Sequence, residues 1–291
     1  MILPALSPGL HAFVAVDEGL DRLICIESAR PATKWTVPLK DKCRSIQLLL
    51  NGNIMAVTDS GYIEIETIRG TVVNEERIFP TGVISAQCLP NGHTFFGGLN
   101  LNNAHGVTFV QVDETNCPVR SICFGGDYVR RSTLTSSDTI LFTCDSRVYE
   151  GDWHGKILRE FSAPGFKHAW KAIRTDDDHT WISAGYGAFV AEFASDGRVL
   201  RKWECAKHAS LVRPNFFGDF HLLPNGGLLV CNWLGHGADC GSSGYPLLEF
   251  SPQSEVVGGW QDAAQTSSLQ TVVFTGQTTP VLLPKSQTSE K

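Results

Sequence analysis

The stretch LPNGGLLVCNWLGHGADC (223–240) carries Cys231, His236 and Cys240, two thiols and an imidazole of the kind that bind zinc. A structural zinc site needs four ligands, and a catalytic one needs three plus a water. Cys-x4-His-x3-Cys matches no standard spacing, and no second cluster supplies the missing donors, so the thiols read as buried cysteines and no metal is expected. Asp219 and His221 lie two residues apart and so share a strand face, as an oriented proton relay or as a solvated pair. Arg44, Arg130 and Arg131 offer guanidinium donors to an anionic or carbonyl oxygen, or pair with Asp127 or Asp219. His168 is a further acid–base candidate or a satisfied strand histidine. Trp170, Phe217, Tyr128 and Trp233 can stack on a flat ligand, although Trp233 equally suits core packing. No G-x-S-x-G elbow, H-E-x-x-H helix or phosphate-cradling glycine loop is present, so the common hydrolase and nucleotide chemistries lack their residues.

The chain that must position these groups has 291 residues, 42% hydrophobic and 19% charged, with 28 glycines and 14 prolines. That is a globular, turn-rich composition. A net charge of −6 gives no general attraction to nucleic acid or to an acidic membrane surface, so neither is expected as a partner. A small organic ligand fits better. The N-terminal MILPALSPGLHAFVAVDEG has no basic n-region and is broken by Pro4 and Pro8, which makes it a poor secretory signal. Nine cysteines in no tight framework suit a reducing compartment, and a cytoplasmic protein is expected.

Repetition decides the architecture. IQLLLNGNIMAVTD (46–59), AQCLPNGHTFFGG (86–98) and FHLLPNGGLLVCN (220–232) share an apolar segment, an Asn-Gly turn and a second apolar segment. Asn-Gly predicts a tight hairpin in which both central residues take positive φ. Degenerate copies place further turns near 138, 178 and 276, about 40–50 residues apart. Downstream, VYEGDWHGKILREF (148–161), VAEFASDGRVLRKW (190–203) and LLEFSPQSEVVGGW (247–260) align Glu150 with Glu192 and Glu249, and Phe161 with Trp203 and Trp260. Each repeat is a four-stranded meander, and the recurring tryptophans are structural. The chain ends on one strand of a repeat and begins with three, 11–17, 22–28 and 33–39, which complete it. A single all-β, six-bladed β-propeller is predicted: blades 46–79, 85–124, 130–161, 171–204, 219–262, and 269–277 with 11–39, followed by a flexible tail over 281–291. Residues that open the inner strands then converge on a central channel. They include Arg44, Ser85, Gln87, Tyr128, Arg131, His168, Trp170, Phe217, Asp219, His221 and Gln270.

The blade pattern LPNGGLLVCNWLGHG…PLLEFSPQSEVVGGW resembles six-bladed propellers of the strictosidine-synthase and lactonase kind across most of the chain. It also resembles the fungal propellers that act as hetero-Diels–Alderases in tropolone–sesquiterpenoid biosynthesis. That resemblance implies a cofactor-independent pericyclase of secondary metabolism, making a meroterpenoid. Arg131 and Arg44 would polarise an oxygen, His221 with Asp219 would handle a proton, and Trp170 with Phe217 would form an apolar wall. His168, Tyr128, Gln87, Ser85, Gln270 and Trp233 would complete the substrate surface. Two alternatives stay open: a metal-dependent lactonase-like hydrolase, for which Asp219 is the only acid among the inner-strand residues, and a non-catalytic binding scaffold.

Overall fold

A computed structural model describes residues 2–27 and 32–275. These residues form six four-stranded antiparallel sheets, the six blades of a β-propeller. The first three blades comprise Ile46–Leu48, Ile54–Val57, Gly61–Ile65 and Val72–Arg77; Val83–Cys88, Thr94–Leu99, Val107–Val112 and Pro118–Gly125; and Ser132–Leu134, Ile140–Cys144, Arg147–Gly151 and Ile157–Phe161. The next two comprise Ala172–Arg174, Thr180–Ser183, Phe189–Phe193 and Val199–Glu204; and Phe216–Leu222, Leu228–Trp233, Leu247–Phe250 and Val256–Trp260. In the sixth, Leu269–Phe274 is the inner strand, followed outward by Ala12–Asp17, Arg22–Glu27 and Ala32–Pro38. Residues 28, 276 and 277 of the expected strands, the turn expected near 276, and the expected tail over 281–291 lie outside the described residues.

Closure of the ring rests on antiparallel pairs from opposite chain ends, Phe13 with Phe274, Val14 with Val273 and Ala15 with Val272. A buried carboxylate holds the junction. Asp17 Oδ1 accepts from the backbone N–H groups of Ser267 and Ser268 (2.9 and 3.0 Å), while its Oδ2 accepts from Arg22 Nε (3.0 Å).

The Asn-Gly hairpins differ from expectation in one respect. Gly52, Gly92 and Gly226 have positive φ, but the preceding asparagines do not. Each glycine N–H bonds back to the carbonyl three residues earlier, as in Gly52 to Leu49 (3.0 Å), which is a type I turn followed by a left-handed residue. Asparagine serves here as an acceptor: Asn51, Asn91 and Asn225 Oδ1 take the N–H two residues on. Asp138 and Asp178 adopt the left-handed conformation in the degenerate copies, which is why those turns survive without glycine.

The aligned acids and aromatics are packing devices. Glu150, Glu192 and Glu249 are all buried. Glu150 accepts from Thr139 Oγ1 (2.6 Å) and from Arg174 Nη2 of the next blade (2.6 Å). Glu192 binds His179 (2.8 Å) and Arg201 (2.7 Å), and Glu249 accepts from the N–H of Ser7 (2.7 Å) in the N-terminal segment. Trp203 Nε1 donates to the Ser251 carbonyl of the following blade (3.1 Å), and Trp260 meets Phe13 edge-on with centroids 5.2 Å apart. All nine cysteines are unpaired, and no helix among the described residues is long and apolar enough to cross a membrane.

Asp17→Ala strips two buried backbone N–H groups of their acceptor at the closure, and is expected to lower stability by about 2–3 kcal/mol. Glu75→Ala on an exposed outer strand should leave it nearly unchanged. Urea unfolding of both variants checks the contrast.

Candidate active site

One residue from each blade meets at the waist of the hub. Ser45, Ser85, Arg131, Lys171, Asp219 and Thr271 each immediately precede an inner-strand residue at an equivalent register, Ile46, Ala86, Ser132, Ala172, Phe220 and Val272. Five of them form one network. Asp219 Oδ1 accepts from Lys171 Nζ (2.6 Å) and from its neighbour Phe220 N (2.9 Å). Its Oδ2 accepts from Thr271 Oγ1 and lies 3.4 Å from Arg131 Nη1, and Arg131 Nη2 reaches Ser45 Oγ (3.2 Å). Ser85, the sixth, instead shares a hydrogen bond with Ser132 (2.7 Å). Burial alone would raise the Asp219 carboxyl, but Lys171 and Arg131 together hold it well below the usual carboxylate range. These side chains divide the expected channel into two cups.

The lower cup, at the hairpins that leave the inner strands, has a volume of about 320 Å³. It includes His221, Gln87, Arg131, Lys171 and Arg174 in its lining. Its polar groups are largely committed. Arg131 and Lys171 belong to the waist, Arg174 binds Glu150, and Gln87 Oε1 accepts from Leu134 N (2.9 Å). Asp219 and His221 share the hub-facing side of their strand but are not hydrogen-bonded to each other: His221 Nε2 donates to the Val272 carbonyl (2.7 Å) and stands 3.9 Å from Asp219 Oδ2. Burial, reinforced by Lys171, lowers the His221 pKa to about 4, so the ring is neutral near pH 7.

The upper cup, where the chain enters the inner strands, is about 230 Å³ and differs in kind. One residue above the waist on each strand are Arg44, Ile84, Arg130, Trp170, Gly218 and Gln270, four of which line it with Lys42, His168, Tyr186, Phe216, Trp233, His236 and Glu18. A side chain at Gly218 would collide with the Gln270 carbonyl, 2.8 Å from a Cβ there. Trp170, Phe216 and Trp233 pack edge to face with centroids 5.5–5.6 Å apart, and Tyr186 meets Phe216 at 4.9 Å. Arg130 stacks on the ring of Tyr128 (4.2 Å), whose hydroxyl hydrogen-bonds His168 Nδ1. Asp145 Oδ1 is 3.5 Å from the same nitrogen. Among the described residues, no carboxylate pairs with Lys42, Arg44 or Arg130. The one acid in the lining, Glu18, accepts from Trp233 Nε1 (3.1 Å) and binds His236 Nδ1 (2.7 Å).

The predicted site residues therefore separate. Arg44, His168, Trp170, Trp233 and Gln270 come together in the upper cup, with Tyr128 behind them. Arg131, Asp219 and Ser85 form part of the waist, and His221 and Gln87 face the lower cup. Phe217 lines neither: it is fully buried against Phe250, while its neighbour Phe216, on the opposite strand face, forms the wall. The three zinc-type donors diverge. Cys231 is buried in its strand, His236 sits on Glu18, and among the described residues no three of His, Cys, Asp and Glu come together as metal ligands. Lys171, Glu18 and Tyr186 had no motif to mark them. Lys171 stands at the entrance of its inner strand, at the register equivalent of Arg131 in the next blade, but its residue type gave it no role there.

No protein-family model matches the chain, and no curated protein matches it significantly. Among solved structures it is similar to a Bacteroides caccae protein of unknown function, at 20% identity and TM-score 0.74, over 90% of this chain and 97% of that one. It is also similar to a catalytically inactive virginiamycin B lyase from Staphylococcus aureus with quinupristin, at 14% identity and TM-score 0.55, over 89% and 87% of the two chains. A third is regucalcin, a calcium-binding protein from Agrobacterium tumefaciens, at 14% and 0.56, over 89% and 92%. At such identities the likeness establishes the six-bladed fold.

Asp219→Asn leaves Lys171 and Arg131 facing each other without their counter-charge, and should cost about 3–5 kcal/mol in chemical unfolding. The unfolded chain protonates His221 near its ordinary 6.5 but the folded protein only near about 4, so stability falls as pH drops through that window. His221→Gln should flatten the stability profile there.

Proposed function

We propose that the protein is a cofactor-independent enzyme of secondary metabolism that binds a conjugated, oxygen-bearing organic substrate in the upper cup and guides a hetero-Diels–Alder cycloaddition. The observation that carries this reading is the pair Arg44 and Arg130, two guanidinium groups without a carboxylate partner among the described residues, beside a wall of four aromatic rings. A cycloaddition forms its bonds without a nucleophile or a proton relay. What it needs is orientation, which supplies on the order of 7–11 kcal/mol in the best intramolecular cases, and a donor aimed at the oxygen that gains charge. Arg44 and Arg130 fill the second role, and the faces and edges of Trp170, Phe216, Trp233 and Tyr186 hold the hydrocarbon partner. The unpaired cysteines support a reducing, cytoplasmic setting. The structural likeness to a lyase solved with quinupristin supports small-molecule chemistry on this architecture.

Calcium, the ion named for regucalcin and expected of lactonase-like propellers, prefers six to eight oxygen ligands. The upper cup offers one carboxylate, Glu18, already engaged by two donors and surrounded by cations. The residues present do not fit that ion, and hydrolysis through it is not the reading favoured here.

The test uses a hydroxybenzyl precursor that releases an ortho-quinone methide in the presence of an electron-rich alkene. Chiral chromatography of the cycloadduct should show an enantiomeric excess with the native protein. Arg44→Gln should reduce the enzymatic rate by about 10²–10³-fold while leaving the unfolding midpoint nearly unchanged. A racemic adduct at stoichiometric protein would overturn the proposal.

A further inference from the structure

We infer that the upper cup recognises its substrate as an organic anion, a planar ring system bearing an oxyanion such as a carboxylate or an acidic ring hydroxyl. This inference rests on the reading of the upper cup as the substrate site and specifies what that site selects. Lys42, Arg44 and Arg130 bring three cations to one mouth, against the single carboxylate of Glu18. Glu18 offsets one of these charges through space but bonds to none of them, since its oxygens are taken by Trp233 and His236. The excess is local and opposite in sign to the net charge of −6 carried by the chain as a whole. Elsewhere in the hub cations are paired: Lys171 and Arg131 share Asp219, and Arg174 has both Glu150 and Asp178. Arg44 stands apart. Burial, and then the neighbouring charge of Arg130, make its charged form less favourable, a cost that a bound anion would relieve.

The rings of the cup set what carries that charge. Trp170, only 3% exposed, lines this cup with its ring, while its indole Nε1 is enclosed by protein. An oxyanion seated between Arg44 and Arg130 would take charge-assisted bonds from both guanidinium groups. The Phe216, Trp233 and Tyr186 rings then set the shape of what carries the oxyanion: a flat, apolar body. Because a cationic mouth on an acidic protein also concentrates anions locally, recognition begins before contact.

The experiment is calorimetric titration of the full-length protein with naphthoate and with the isosteric neutral naphthamide. Naphthoate should bind at least about tenfold more tightly, since the pair differ chiefly in a charged acceptor. The advantage should shrink in high salt. Arg44→Gln and Arg130→Gln should each erase most of it while leaving naphthamide affinity within about twofold. Equal affinity for the two probes would overturn the anion assignment but leave the upper cup as a binding site. Failure of both to bind at millimolar concentration would overturn the anion assignment and the upper-cup reading together. The comparison on the native protein decides the question even if a variant fails to fold.

Discussion

A carboxylate taken out of water between two cations governs this hub. Asp219 is buried, and each of its oxygens is bound: Oδ1 by Lys171 and the Phe220 amide, Oδ2 by Thr271 with Arg131 close by. Ion pairs of this kind contribute little net stability compared with apolar packing, but removing one member is severe because the others are left charged and dry. The three charged residues come from three different blades, so the pairing also fixes how those blades approach the axis. Ser45 and Thr271 join from two more. A propeller whose hub was only apolar would pack as tightly but would lack this directional constraint.

The waist also sorts the chemistry of the two mouths. Below it, the cations, amides and hydroxyls are largely spent on one another and on the blade framework. Neutral His221 fits that setting, since a proton there would add a third cation beside Lys171 and Arg131. Above it, Arg44 and Arg130 meet aromatic rings instead of carboxylates. The larger cavity is thus the quieter one, and the smaller holds the groups still free to bind something.

Around the hub, the blades repeat one economy of polar groups. A third-strand acid is buried in three consecutive blades, and in each it ties down something different: a neighbouring blade through Arg174, its own hairpin and outer strand through His179 and Arg201, or the N-terminal segment through Ser7. Register preserved the position while the partner drifted. The same holds for the turn, where Gly52, Gly92 and Gly226 give way to Asp138 and Asp178 without loss of geometry.

The sequence alone determined the ring and its closure, because both follow from local rules repeated along the chain. Turn residues recur at regular spacing, strands alternate between buried and exposed faces, and one strand at the end answers three at the start. It also brought Arg44, Trp170, His168 and Gln270 to the hub, since their distance from each turn places them at the inner-strand entrances. Which of two adjacent residues faces a cavity is set by less than one strand period. Strand alternation put Phe216 rather than Phe217 in the wall, and His221, on the same side as Asp219, took the Val272 carbonyl of the neighbouring blade as its partner. Whether a given arginine is free is a question about residues more than 80 positions away. Arg131 meets Asp219 and Ser45 while Arg130 beside it meets neither, and only the assembled hub, where long-range contacts allot the few carboxylates among the cations, could decide between them.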